Sequence, residues 1–212
     1  MSEILSELST AVIEGNLDDI VDLTEDALDE DFSAQDILDK GLMPGMDHVG
    51  VEFKAGNMFV PEVLRSARAM QSSMELIRPM LIASGVKMVG KVLLGTVKGD
   101  LHDIGKNLVK IMMEGKGMNV VDLGIDVAPE KFVEAAKENN AQVIACSALL
   151  TTTMTEMENV VKALVEAGIR DKLTIMVGGA PVTQSFCDSI GADRYAPDAA
   201  SAADEAIAAC AS

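Results

Sequence analysis

The chain has 212 residues, of which 49% are hydrophobic and 24% charged, with a formal net charge of -17. That length supports a sizeable core in one large domain or two small ones. The acidity argues against a phosphate-backbone partner, and with 3% aromatics and no Trp there is no base-stacking platform for single-stranded nucleic acid.

The chain opens on Met1-Ser2-Glu3-Ile4, without the basic region or apolar run of a signal peptide. Ile4, Leu5, Leu8, Ala11 and Val12 recur at helical spacing and stop at Gly15-Asn16; Asn16 caps a second helix carrying Leu17, Ile20, Val21, Thr24, Ala27 and Leu28. Ser33-Ala34-Gln35-Asp36 resembles a capping box before Ile37 and Leu38. Residues 1–40 hold 13 acids and one base, a solvated acidic face that also suits docking to a basic partner surface. Gly41 and Pro44-Gly45 are expected to interrupt the pattern before a helix through Met46, Val49, Gly50 and Phe53. Pro61 suits the first turn of a long last helix with Val63, Leu64, Ala67, Met70, Met74 and Ile77 on one face. Four or five such helices make a bundle.

Ala83-Ser84-Gly85-Val86 reads as a linker, dividing the chain into residues 1–86 and 87–212. Beyond it strands and helices alternate: strand Lys91–Val97 and helix Lys106–Glu114, strand Asn119–Leu123 and helix Pro129–Asn139. Strand Gln142–Ser147 then precedes a helix Met154–Ala167, and strand Thr174–Val177 runs into Gly178-Gly179 and a short helix Val182–Ile190. An edge strand near Arg194-Tyr195 and an Ala-rich helix from about Ala200 to Ala209 complete the pattern. Such β–α units predict a five-stranded parallel sheet covered on both faces, a Rossmann-like or flavodoxin-like α/β domain. Cys146, Cys187 and Cys210 lack C-x-x-C spacing and imply no disulfide framework, which fits a cytoplasmic protein, and no stretch is long and apolar enough for a membrane span.

The site is expected on Gly99-Asp100-Leu101-His102-Asp103-Ile104-Gly105, between the strongest strand signal and a helix. In an open α/β sheet, ligands bind beyond the carboxyl ends of the strands. Neutral imidazole is a metal ligand, and Asp100 is close enough to fix its tautomer through the other ring nitrogen. Gly105 lets backbone approach a bulky ligand where the helix starts. The spacing alone leaves a hydrolytic or purely structural histidine open. A protein-built zinc site needs three or four ligands, and none flank His102 at metal-site spacing. A single axial ligand suggests a metal already held by a macrocycle. His48 reads as an ordinary surface or core histidine, and the Gly-rich pieces lack the order of a dinucleotide fingerprint.

Asp100-x-His102-x-x-Gly105, then Ser147-x-Leu149, then Gly178-Gly179, resembles the three-part signature of cobalamin-binding domains of the methionine synthase type. Upstream, residues 1 to about 88 are similar to the helical cap of methyl-carrying members, so the resemblance spans essentially the whole chain. Within it the chain looks like the small corrinoid proteins of anaerobic methyltransferase systems. The resemblance implies cobalamin as cofactor, methylcobalamin when loaded, with His102 as lower axial ligand to cobalt and Asp100 on its other nitrogen. It adds Asp103, Ile104 and Gly105 to the cofactor site, with Ser147, Leu149, Gly178 and Gly179 along the slot for the nucleotide tail and Thr151 as a further contact. Thr153 matches a Ser that hydrogen-bonds the Asp, and Thr152 stands where usual members carry Pro. Phe53 and Val60 match two apolar cap residues over the methyl group, with Val60 in place of a Leu; Gly95 and Lys98 are read as lining the nucleotide loop.

The implied activity is methyl carriage, not catalysis alone: Co(I) would accept a methyl from a substrate-specific methyltransferase and become methyl-Co(III). A second methyltransferase would pass it to tetrahydrofolate or a thiol, and a reductive activator would rescue oxidised cobalt. Quaternary or methylated amines are the favoured donors. Gly85 and its neighbours are the expected hinge for the cap. The alternatives are the small subunit of an adenosylcobalamin mutase, a cobalamin-binding regulatory module, and a cofactor-free flavodoxin-like domain.

Overall fold

Apolar residues at helical spacing wind the N-terminal part of the chain into helices, and the computed structural model describes residues 2–84 and 89–211. Close contacts divide the chain into two units, residues 1–88 with 114–117 and residues 89–113 with 118–212. In the first, α1 (Glu3–Glu14) buries Ile4, Leu5, Leu8, Ala11 and Val12 and ends at Gly15. Asn16 Oδ1 accepts from the N–H groups of Asp18 and Asp19 at 3.2 Å, so its side chain starts α2 (Asp19–Asp29). Ser33 Oγ accepts from Asp36 N–H at 3.0 Å and opens α3 (Ala34–Asp36).

The interruption expected at Gly41 and Pro44-Gly45 does not occur. The chain continues through a π-helical segment, Ile37–Leu42, directly into α4 (Met43–Lys54). Both glycines serve close packing on α1 instead. A Cβ at Gly45 would lie 2.8 Å from Ser9 O and Val12 Cβ, and one at Gly41 would lie 3.3 Å from Leu8. Pro44 falls in the first turn of α4, where a missing N–H is tolerated. The long α5 (Val60–Ala83) starts as predicted, with Pro61 in its first turn and the Glu62 carboxylate accepting from Phe59 N–H at 2.8 Å. It buries Val63, Ala67, Met70, Met74 and Ile77, so Met70 and Met74 are packing residues, and His48 is exposed. Of the linker, Ala83 ends α5 and Ser84 caps it; Gly85 and Val86, including the expected hinge, lie outside the described residues.

The second unit is a five-stranded, all-parallel sheet of order β2-β1-β3-β4-β5. The strands are β1 (Lys91–Val97), β2 (Asn119–Val127), β3 (Val143–Ser147), β4 (Thr174–Gly178) and β5 (Arg194–Ala196). Its helices are α6 (Ile104–Gly115), α7 (Pro129–Asn139), α8 (Met154–Glu166), α9 (Gln184–Ile190) and α10 (Ala199–Cys210). Central β1 is buried from Val92 to Val97, as its unbroken apolar run predicts. Phe132 of α7 is fully buried and fills the hollow over Gly95, where a Cβ would meet its ring at 2.8 Å. Gly95 therefore makes room for the Phe132 ring. Small side chains let α10 lie close: Ala199, Ala200, Ala202, Ala203 and Ala206 are buried.

β2 runs four residues beyond the expected Leu123, through shifted pairings with β1 after Leu94 and Gly95 that carry Val127 opposite Val97. The extension brings Asp126 to the end of β1.

No disulfide links the cysteines. Burial pushes the Cys146 thiol up to about 12 and raises Cys187 and Cys210 as well. Cys146 and Cys187 are buried, whereas Cys210 is partly accessible. Native protein treated with Ellman's reagent should react at Cys210 alone, and the two buried thiols should appear only on unfolding.

Candidate functional site

The strand order reverses between β1 and β3, and ligands of such sheets sit beyond the strand ends at this switch point. β1 delivers Gly99, whose φ of +77° suits a glycine, and the chain turns so that Asp100 N–H donates to Val97 O at 3.1 Å. Asp100 is fully buried. Its Oδ1 accepts from His102 N–H at 3.1 Å and lies 2.7 Å from His102 Nδ1. Its Oδ2 accepts from Leu149 N–H at 2.8 Å, Leu150 N–H at 3.2 Å and Thr153 Oγ1 at 2.7 Å. One carboxylate thus ties the end of β1 to the loop after β3.

Burial acts to raise the Asp100 pKa, but the bonds from Thr153 and His102 and from the Leu149 and His102 amides hold it well below the usual carboxylate range. A carboxylate at 2.7 Å from Nδ1 favours the tautomer in which Nδ1 carries the proton. Nε2 then keeps its lone pair for a metal, on a side chain that is 49% exposed. Thr153 stands at the N-cap of α8 yet makes no capping bond with its side chain; the hydroxyl serves Asp100.

Large apolar side chains are exposed on the loops that carry this cluster. Leu101 is 66% exposed, Ile104 77% and Leu149 44%. Asp103, Ile104 and Gly105 lie at the exposed start of α6, and a Cβ on Gly105 would meet nothing within 4 Å. Ser147 and Gly178 close β3 and β4 as paired residues, and Thr151 is exposed in the turn that follows Leu149. Gly179 has a φ of +132°, and a Cβ there would lie 1.9 Å from Ala148 O. Its lack of a side chain is required by the protein's own backbone. The structure therefore brings Asp100, His102, Leu149 and Thr153 into one hydrogen-bonded cluster, with Gly178 and Gly179 at the adjoining strand end. Phe53, near the end of α4, and Val60, at the start of α5, are half-buried within the helical unit.

Two further side chains reach this turn. Thr96 Oγ1 donates to His102 O at 2.9 Å, and Asp126 Oδ1 accepts from Gly99 N–H at 2.7 Å. Neither was singled out from sequence. Thr96 hides in an apolar strand, and Asp126 is brought in by the β2 extension; an Asp closing a strand beside the Gly99 turn is the signal available.

These residues fit a metal that brings its own equatorial ligands. Among the described residues no group of three or more His, Cys, Asp or Glu side chains could hold a metal ion. His102 is a single, carboxylate-oriented donor amid exposed apolar side chains that could cover the face of a macrocycle.

Comparison with known proteins agrees. The B12 binding domain family matches residues 90–206, and a second B12 binding domain family matches residues 4–78. Fold and site thus define a B12-binding protein with an N-terminal helical region. The chain is 43% identical over 206 residues to the dimethylamine corrinoid protein of Methanosarcina barkeri, covering 96% of each. It is 43% identical to trimethylamine corrinoid protein 1 of Methanosarcina acetivorans, covering 93% of this chain and 92% of that one. Among solved structures it resembles the methanol:cobalamin methyltransferase complex MtaBC from Methanosarcina barkeri, with 34% identity, a TM-score of 0.86, and coverage of 99% of this chain and 80% of that one. A cobalamin-binding protein from Desulfitobacterium hafniense DCB-2 matches with 31% identity and a TM-score of 0.81, over 95% of this chain and 96% of that one. The chain belongs to the corrinoid protein family, and its cofactor is cobalamin.

Proposed function

We propose that this chain is a methyl carrier working between two methyltransferases, a cofactor-carrying subunit and not a catalyst by itself. The first partner is specific for a methylated or quaternary amine, and the second acts on tetrahydrofolate or a thiol; a reductive activator is the remaining partner. When bound, cobalamin supplies a cobalt atom able to take a methyl group from one partner and give it to the next. The observation that carries this reading is His102, whose Nδ1 lies 2.7 Å from the fully buried Asp100 carboxylate at the switch point of a B12-binding fold.

In this reading the chain's own residues bind, orient and shield. His102 Nε2 would hold the cobalt, with Asp100 fixing the His102 tautomer and Thr153 steadying Asp100. Asp103, Ile104, Gly105, Ser147, Leu149, Thr151, Gly178 and Gly179 contact the cofactor. Phe53 and Val60, in the helical cap at residues 1–86, would be the apolar residues that shield the cofactor's methyl group, and residues 87–212 would be the cobalamin domain. The names of the relatives, dimethylamine and trimethylamine corrinoid proteins, support methylated amines as the donor class. The MtaBC complex supports a methyltransferase as partner. No helix among the described residues is long and apolar enough to cross a membrane, which is compatible with work in the cytoplasm.

The test is the ultraviolet–visible spectrum of wild type and His102→Ala after reconstitution with hydroxocobalamin and desalting. Wild type should retain the corrin bands; His102→Ala should bind about tenfold more weakly or more, with shifted bands. Identical spectra and retention would overturn His102 as ligand. Uptake of a methyl group from a methylated amine and its methyltransferase, and not of adenosyl, separates the carrier from a mutase subunit.

A further inference from the structure

We infer that Thr96 and Asp126 are positioning residues for His102, acting from the ends of two neighbouring strands; this rests on His102 being the axial ligand. The turn that carries His102 has little apolar anchorage. Leu101 and Ile104, which flank His102 and Asp103, are 66% and 77% exposed. What fixes the turn is its hydrogen bonding, and three of its backbone groups, Gly99 N–H, Asp100 O and His102 O, are bonded by Thr96 and Asp126.

Asp126 grips the turn at both ends of one dipeptide. Its Oδ1 accepts from Gly99 N–H at 2.7 Å, and its own N–H donates to Asp100 O at 3.1 Å. It does so at a φ of +53°, a left-handed conformation that a non-glycine residue adopts at a cost. Thr96 is fully buried in a strand whose other members are apolar or glycine apart from Lys91. A hydroxyl there is costly unless bonded, and its acceptor is the His102 carbonyl, at 2.9 Å. His102 N–H is already committed to Asp100 Oδ1. The His102 backbone is therefore held on one side by the residue that sets its tautomer and on the other by Thr96. Small displacements of a donor by a loosened supporting shell cost metal affinity.

The test uses the full chain loaded with cobinamide, a corrinoid without a nucleotide base, and reduced to Co(II). Any nitrogen hyperfine coupling in its electron paramagnetic resonance spectrum along the axial direction then comes from the protein. Wild type should show a triplet that becomes a doublet on uniform ¹⁵N labelling of the protein and vanishes in His102→Ala. Thr96→Val keeps shape and strand preference but loses the hydroxyl. It should lower the ratio of nitrogen-coupled to uncoupled cobalt about fivefold, with recovery in Thr96→Ser. Asp126→Ala, at an exposed position, should lower it to a similar degree and carries the test should Thr96→Val fail to fold. Full wild-type coupling in folded Thr96→Val and Asp126→Ala, whatever their urea midpoints, would overturn the proposal. A wild type without nitrogen coupling would instead overturn the axial-ligand reading.

Discussion

Gly179→Ala should cost about 3 kcal/mol or more of folding stability, measured by urea unfolding, and should also release cobalamin. The added methyl would lie 1.9 Å from Ala148 O and 2.9 Å from Ala148 C. Both are backbone atoms in the loop that follows β3, so no side chain can swing away. Two consequences follow together. Ala148 N–H donates to Gly178 O at 3.2 Å, so the β3–β4 junction would open. The next two amides, of Leu149 and Leu150, are donors to Asp100 Oδ2, so the support of His102 would shift with it. Gly191→Ala is the control: φ is +72° but nothing lies within 4 Å of a Cβ, leaving only the left-handed strain of about 1 kcal/mol. If Gly179→Ala lost no more stability than Gly191→Ala, the close approach to Ala148 would not be what requires glycine there.

Legibility in the sequence followed the range of each interaction. The Asp100–His102 pair is two residues apart, and strand-turn-helix punctuation on either side made it readable as a site. Asn16, Ser33 and Pro61 were readable because capping is decided within one helical turn. The local preference of Gly41 and Pro44-Gly45 is to break helices, while the deciding contacts on α1, with Leu8 for Gly41 and with Ser9 and Val12 for Gly45, lie far away in sequence. The end of β2 was missed for a similar reason. Gly124 and Asp126 are poor strand formers at positive φ, +88° and +53°, and only the shifted pairing with β1 on either side of Asp126 carries the strand on to Val127. Thr153 was singled out through resemblance; its geometry, a hydroxyl given to Asp100 instead of the helix it caps, has no local signature.

Lys106 is the strongest case of a residue that sequence could not place, and it sets up a second large effect. At the start of α6 a lysine reads as solvated, yet its side chain is 2% exposed. Its ammonium donates to Asp122 Oδ1 and Oδ2 at 2.7 and 2.8 Å and to Asn107 Oδ1 at 2.8 Å. The Asp122 side chain is 25% exposed, accepts from Gly124 N–H at 2.9 Å and has Lys110 at 3.7 Å. The two partners are therefore unequal. Asp122→Asn leaves a buried ammonium without its counter-charge and should cost about 2 kcal/mol at neutral pH. Lys106→Met leaves a carboxylate that water and Lys110 still reach, and fills the buried stem's volume, so it should cost about 1 kcal/mol or less. The pH dependence has a definite sign. Partial burial pushes the Asp122 carboxyl up, but the bonds from Lys106 and Gly124 and the charges of Lys106 and Lys110 hold it below its ordinary value. A carboxylate depressed in the folded state contributes in full above its unfolded pKa, about 4, and loses that contribution as pH falls through the lower folded value. The gap between wild type and Asp122→Asn in urea unfolding should hold steady from pH 7 to about 5 and narrow below about 4. A gap that widened in acid, or a Lys106→Met variant less stable than Asp122→Asn, would mean that burial of the lysine is not what gives this pair its weight.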